Sequence, residues 1–224
     1  MKLKFSKQTI RLCILTIAFI SWTLVVSTID VKNIGPLNST IGISTLNKYI
    51  HDIIGVHLDL YIITDWLSII PLCCVMIFAL IGLTQIIKRK SISNVDIDIL
   101  FLGGYYALVF GVFIFFEHFV INYRPVLIEG VLEASYPSST TLLIICAMSS
   151  AVMQIKRRIK SHKIKKCLCC TVMIFSLFTI AARAISGVHW FSDIVGGMLL
   201  GTALVELYKI LDNLFCPNNK EKPD

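Results

Sequence analysis

Trp66-Leu-Ser-Ile-Ile-Pro-Leu-Cys-Cys-Val-Met-Ile-Phe-Ala-Leu-Ile-Gly-Leu-Thr-Gln-Ile-Ile87 carries no charged residue and is closed by Lys88-Arg89-Lys90. A hydrocarbon core demands about 20 apolar residues of a helix at ~1.5 Å rise each, so this run reads as a membrane span with a basic stop. Similar runs lie on both sides of it, near Leu12–Thr28, Leu100–Ile121, Thr141–Ile155, Cys167–Ile185 and Phe191–Ile210. A chain with 56% hydrophobic and 16% charged residues is too apolar for a soluble domain, and six spans account for most of its 224 residues. The expected fold is an all-α membrane protein, a six-transmembrane-helix bundle forming one domain over residues 1–224.

Charge gives the expected orientation. Basic residues gather at Lys2, Lys4, Lys7 and Arg11, at Lys88–Lys90, seven times between Lys156 and Lys166, and at Lys209, Lys220 and Lys222. These stretches fall at alternate connections, so the positive-inside rule makes them cytoplasmic, along with both termini. Only Lys32, Lys48, Arg124 and Arg183 remain for the outer side. The net charge of +7 is then an orientation signal, not a nucleic-acid footprint. The first apolar run is read as a retained helix, because no small-x-small cleavage site follows it.

Other motifs imply less. Cys167-Leu-Cys-Cys170 has one C-x-x-C but no second pair near it, and the remaining cysteines lie mostly within apolar spans, so neither a disulfide framework nor a metal centre is expected. No G-x-x-x-x-G-K-[ST] loop is present, so an ATP-driven pump is unsupported. Asn38-Ser-Thr40 fits a glycosylation acceptor. In the long outer connection Ile29–Asp65, Leu46, Ile50, Ile53, Ile54 and His57 share one helical face, with Asn47, Lys48, His51 and Asp52 on the other. An interfacial helix is expected there, lying on the membrane surface.

The two remaining outer loops carry the chemistry. The first reads Glu117-His118-Phe-Val-Ile-Asn-Tyr-Arg124-Pro125 and runs through Glu129, Glu133 and Ser135 to Pro137-Ser138-Ser139-Thr140. Ser138, Ser139 and Thr140 stand at a helix start, where backbone N–H groups and hydroxyls suit an anion, and Arg124 can clamp the same anion in a bidentate fashion. The second reads Arg183-Ala-Ile-Ser-Gly-Val-His189-Trp-Phe-Ser-Asp193. Four-residue spacing puts His189 and Asp193 on one face if both are helical. A carboxylate on one imidazole nitrogen fixes the tautomer and leaves the other nitrogen as nucleophile or base.

Arg124-Pro125, Pro137-Ser138 and Arg183-x5-His189-x3-Asp193 together resemble the three signature motifs of the type 2 phosphatidic acid phosphatase superfamily. The resemblance implies a six-helix core with an outward, metal-independent site that uses no cofactor. It implies His189 as nucleophile, Asp193 as its orienting carboxylate, and Arg124 and Arg183 as phosphate clamps. Three positions depart from the family pattern: Glu117 replaces its lysine, Thr140 its general-acid histidine, and Ala182 its serine.

The departures bear on substrate. Losing a positioned general acid costs about 10²–10⁴-fold, and most where the leaving group is basic. A phosphomonoester expels an alkoxide, whereas a polyprenyl pyrophosphate expels a phosphate ester with a pKa of ~6. The expected function is thus a plasma-membrane lipid phosphate or pyrophosphate phosphatase acting on the extracytoplasmic face, with Glu117, His118 and Glu133 as candidate accessory acids. A catalytically silent binder of lipid phosphates or partner proteins, and a phosphotransferase to a lipid or glycan acceptor, are the alternatives. The bilayer and a lipid phosphate are the expected partners.

Overall fold

The computed structural model describes residues 7–216, so Lys2, Lys4, Lys220 and Lys222 lie outside the described residues. The helices are α1 (Lys7–Thr28), α2 (Ser44–Ile54), α3 (Leu58–Leu67), α4 (Ile69–Arg89), α5 (Ile97–His118), α6 (Ser139–Arg158), α7 (His162–Ile185) and α8 (Phe191–Phe215). Six helical stretches are long and apolar enough to cross a membrane, with α3 and α4 counted as one, Leu58–Arg89. Extended pairing among the described residues is limited to three isolated bridges, among them Tyr123 with Ala134. The chain is an all-helical integral membrane protein.

The second span begins earlier than its sequence implied. Trp66 was its expected start, yet the helix opens at Leu58, eight residues before, and is broken only at Ser68. Asp59, Thr64 and Asp65 gave this segment the look of a loop. In the folded chain Thr64 is fully buried against α7 and is a polar partner for Arg183.

Helix α8 is the axis of the bundle, with α1 and α6 packed along it and α7 behind α6. The core between α5, α6 and α8 holds Leu102, Tyr105, Val109, Leu142, Cys146, Leu204 and Tyr208, with the rings of Tyr105 and Tyr208 stacked at 4.6 Å. Close approach is built into the sequence at Gly196, where a Cβ would stand 2.6 Å from the ring of Tyr136. Outside this core, Ile10, Ile14, Ile17 and Leu24 of α1 and Met173, Ile174, Leu177 and Phe178 of α7 are exposed. An apolar surface of that extent is costly in water and ordinary in lipid.

The two ends of the bundle differ. At one end Arg157 reaches Asp212 at 2.6 Å and Asp98 at 3.2 Å, Arg158 reaches Asp98 at 2.6 Å, and Arg89 holds Asp96 at 2.7 Å. Asn213 donates to Gln8 there, joining the end of α8 to the start of α1. The basic loops therefore share an end. Arg124, Arg183, His189 and Asp193 belong to the other.

Helix α2 forms where expected, but its polar side faces the protein. Ser44 and Asn47 are buried, while Leu46, Tyr49 and Ile53 point outward. His51, expected on the face away from the apolar stripe, donates through Nε2 to the Gly187 carbonyl at 3.1 Å and packs on Trp190. An amphipathic helix at a lipid boundary can bury its polar side in a polar protein site and give its apolar side to lipid.

Candidate functional site

Asp193 sits in the first turn of α8 and is completely buried. Its Oδ2 accepts the Trp190 backbone N–H at 3.0 Å, capping the helix, and its Oδ1 accepts from Asn122 Nδ2 at 3.0 Å and Ser192 Oγ at 3.2 Å. Ser135 donates its hydroxyl to Oδ2. A buried carboxylate is tolerated because hydrogen bonds replace its hydration.

His189 is not on the same helix as Asp193. It occupies the loop two residues before α8, so the shared helical face expected from their spacing does not exist. The pair still meet, with Nδ1 standing 3.9 Å from Asp193 Oδ2, beyond a direct hydrogen bond. Nδ1 is instead 3.1 Å from Ser135 Oγ. The loop is pinned by Gly187, whose φ of +69° suits glycine and whose missing side chain admits the Gly55 carbonyl, and by the bond from His57 N to the Ser186 carbonyl at 2.9 Å.

Two guanidiniums converge near the imidazole. Arg183, from the last turn of α7, is 1% exposed; it donates Nη1 to Thr64 Oγ1 at 3.1 Å and lies over the Tyr61 ring at 4.7 Å. Arg124 is buried too and approaches the same ring at 5.8 Å. Each has an acidic neighbour: Glu133 lies 2.9 Å from Arg124 Nε, and Asp65 lies 3.9 Å from Arg183 Nη2. Arg124 Nη1, Arg183 Nε and His189 Nε2 nonetheless have no hydrogen-bond partner within the protein. Three buried polar atoms without partners in one locality are costly unless a ligand meets them.

Burial is the main cause that holds His189 well below the ordinary imidazole range, at about 4, with the nearby Arg124 and Arg183 charges acting in the same direction. Asp193 opposes this and does not overcome it. The ring is neutral at physiological pH, and Nε2 carries the lone pair when Nδ1 keeps its proton.

The other expected site residues fall in different places. Ser138 is fully buried and caps α6, its Oγ receiving Thr141 Oγ1 at 3.1 Å and its backbone N–H bonding the Asp193 carbonyl at 3.0 Å. Thr140 is buried in the first turn, while Ser139 lines a small cavity together with Glu117 and Ser135. His118 is exposed, with Nδ1 on the Ile114 carbonyl of its own helix at 2.9 Å. Glu133 is the accessory-acid candidate that contacts a candidate clamp.

Several residues to which the sequence assigned no role complete the site. Asn122 joins Asp193 to Ser192 and accepts the Gly42 N–H at 3.0 Å; Asn47 bonds Ser192 through both its side-chain ends, at 2.9 and 3.1 Å. Tyr61 and Thr64 face the arginines from α3. Only Asn122 and Ser135 had a local signal, since both stand in the polar loop already singled out.

Among proteins of known structure, the chain is similar to the first transmembrane PAP2-type phosphatidylglycerolphosphate phosphatase from Bacillus subtilis, with 17% sequence identity and a TM-score of 0.61. The likeness covers 95% of this chain and 99% of that one, which establishes a common fold. No curated protein matches the sequence. The family model of the PAP2 superfamily matches residues 72–214, from the first turn of α4 to the end of α8 and across all three motifs. With most of its length so matched, this chain belongs to the PAP2 superfamily.

Proposed function

We propose that the protein is an integral membrane lipid phosphatase that hydrolyses a lipid phosphate or pyrophosphate through a phosphohistidine at His189. One observation carries the reading: the partnerless nitrogens of Arg124, Arg183 and His189 lie together, buried, at one end of the bundle. A phosphoryl group supplies acceptor oxygens for the guanidiniums and a phosphorus atom for Nε2.

In the first step the Nε2 lone pair forms the N–P bond as the P–O bond to the leaving group breaks, and Arg124 and Arg183 take up charge on the phosphoryl oxygens. In the second, water attacks phosphorus, the N–P bond returns its electrons to Nε2, and inorganic phosphate departs. The leaving oxygen lacks the family's histidine acid, since position 140 is threonine. That favours a polyprenyl or other lipid pyrophosphate, whose leaving phosphate ester needs little protonation, over a phosphomonoester such as the phosphatidylglycerolphosphate named for the Bacillus subtilis protein. With the basic loops cytoplasmic, the site opens on the extracytoplasmic face.

The test is phosphate release by the detergent-solubilised protein from a polyprenyl pyrophosphate and from phosphatidic acid, without added metal and with His189→Ala as control. Turnover of the pyrophosphate that disappears in the variant is expected. Binding of lipid phosphate without turnover of either substrate would replace this reading with that of a silent binding protein.

A further inference from the structure

The four acceptor positions of the Asp193 carboxylate are all filled, and none by His189. Oδ1 takes Asn122 and Ser192; Oδ2 takes the Trp190 backbone and Ser135. An ionised carboxylate offers about four lone-pair sites, so the imidazole finds no free one, in keeping with its 3.9 Å separation. Ser135 Oγ stands between them, in contact with both.

The proton count then fixes a direction. A carboxylate only accepts, so the single hydroxyl proton of Ser135 goes to Asp193, and the oxygen's lone pair faces Nδ1. Nδ1 must therefore be the protonated nitrogen, and Nε2 the bare one. We infer that Ser135 is a positioning residue that relays the Asp193 carboxylate to His189, standing where a direct carboxylate–imidazole bond would otherwise be. This rests on the reading of His189 as the nucleophile. When Nε2 bonds to phosphorus the ring becomes cationic with Nδ1–H retained. The Ser135 hydroxyl then passes the carboxylate's field to it without any proton leaving the ring.

Ser135 is held for this role at both ends of the residue. It is 3% exposed, its backbone N–H donates to the Asn122 carbonyl at 2.9 Å, and the following Tyr136 is buried with its hydroxyl 2.7 Å from Thr23 Oγ1. Asn122 thus supports the relay twice, through its carbonyl to Ser135 and through its amide to Asp193.

The experiment compares pyrophosphate turnover in the full-length protein, Ser135→Ala, Ser135→Thr, Asp193→Asn, the double variant S135A/D193N and His189→Ala. It adds ¹⁵N spectra of the histidine rings. Partners that orient a working histidine from behind are worth about 10–100-fold, so S135A is expected to lose that much kcat with KM little changed, and S135T, which keeps the hydroxyl, to recover most of it. In the D193N background S135A should cost nothing more, as for two members of one relay. The spectra should show His189 as a single Nδ1–H tautomer that becomes mixed in S135A, a readout independent of turnover. Wild-type kcat and tautomer in S135A, with H189A inactive, would overturn the relay and leave the function standing; losses that add in the double variant would also overturn it. Full activity of H189A would overturn both readings.

Discussion

The carboxylate of Glu133 stands 2.9 Å from Nε of Arg124, so one of the two candidate phosphate clamps is already paired with an anion of its own loop. The backbone sets this pair, because Arg124 N donates to the Glu133 carbonyl at 3.0 Å across the Tyr123–Ala134 bridge. Under the proposed function, an incoming phosphate has to displace that carboxylate or share the guanidinium with it. An ion pair whose carboxylate reaches solvent, as that of Glu133 does, is worth up to about 1 kcal/mol, so Glu133→Gln should tighten binding of a phosphate analogue up to ~5-fold. Competitive inhibition by inorganic phosphate measures this. A fall in kcat at unchanged affinity would instead make Glu133 the accessory acid.

The His189 environment predicts an acid limb displaced from the usual histidine range. The proposed phosphohistidine route requires a neutral Nε2, and the folded ring stays neutral down to about pH 4. The limb of kcat/KM should therefore fall near pH 4 and not near 6.5. The same shift links to stability. Below about 6.5 the unfolded chain binds a proton that the folded chain refuses until about 4, so stability declines as pH drops through that window and owes nothing to this group above it. A pH–rate profile with its limb at 6.5 would contradict the desolvated ring.

If leaving-group protonation limits the proposed reaction, an acid added at position 140 should redistribute substrates. Thr140→His would place an imidazole in the first turn of α6. Turnover of a phosphomonoester should rise relative to a pyrophosphate, by as much as ~10²-fold if the acid is well placed. The ratio of the two rates in the same preparation is the measurement. An unchanged ratio would argue that leaving-group protonation does not govern specificity here.

Asn47 should matter to stability although it lies far from the arginines in sequence. Its side chain bonds Ser192 N, Ser192 Oγ and the Gly42 carbonyl, all buried. Asn47→Ala leaves these groups without partners at a cost of about 2 kcal/mol, read as a lower melting temperature in detergent. An unaltered melt would mean that α2 is only loosely tied to α8.

How far the sequence could be read depended on the range of the interactions involved. The six spans were legible because each is a local run of uncharged residues, and the three motifs because their spacings are local too. The start of the second span was not, since Thr64 and Asp65 look loop-like until Arg183, more than a hundred positions later, supplies a partner. The sequence alone sets Asn47 among the polar residues opposite the apolar stripe of α2, with no partner in view, for the same reason: nothing local announces Ser192. Ser135 stood in plain view between Ala134 and Tyr136, but its contact with both His189 and Asp193 exists only after α8 packs on α6.

The bond from Ser138 N to the Asp193 carbonyl joins the start of α6 to the start of α8 through the main chain. For anyone transplanting this site into another scaffold, the smallest portable piece is therefore not one loop but both loops together with the two helix starts they lead into. A graft of one loop and its helix alone would carry half of the side chains and leave behind the strut that sets their spacing.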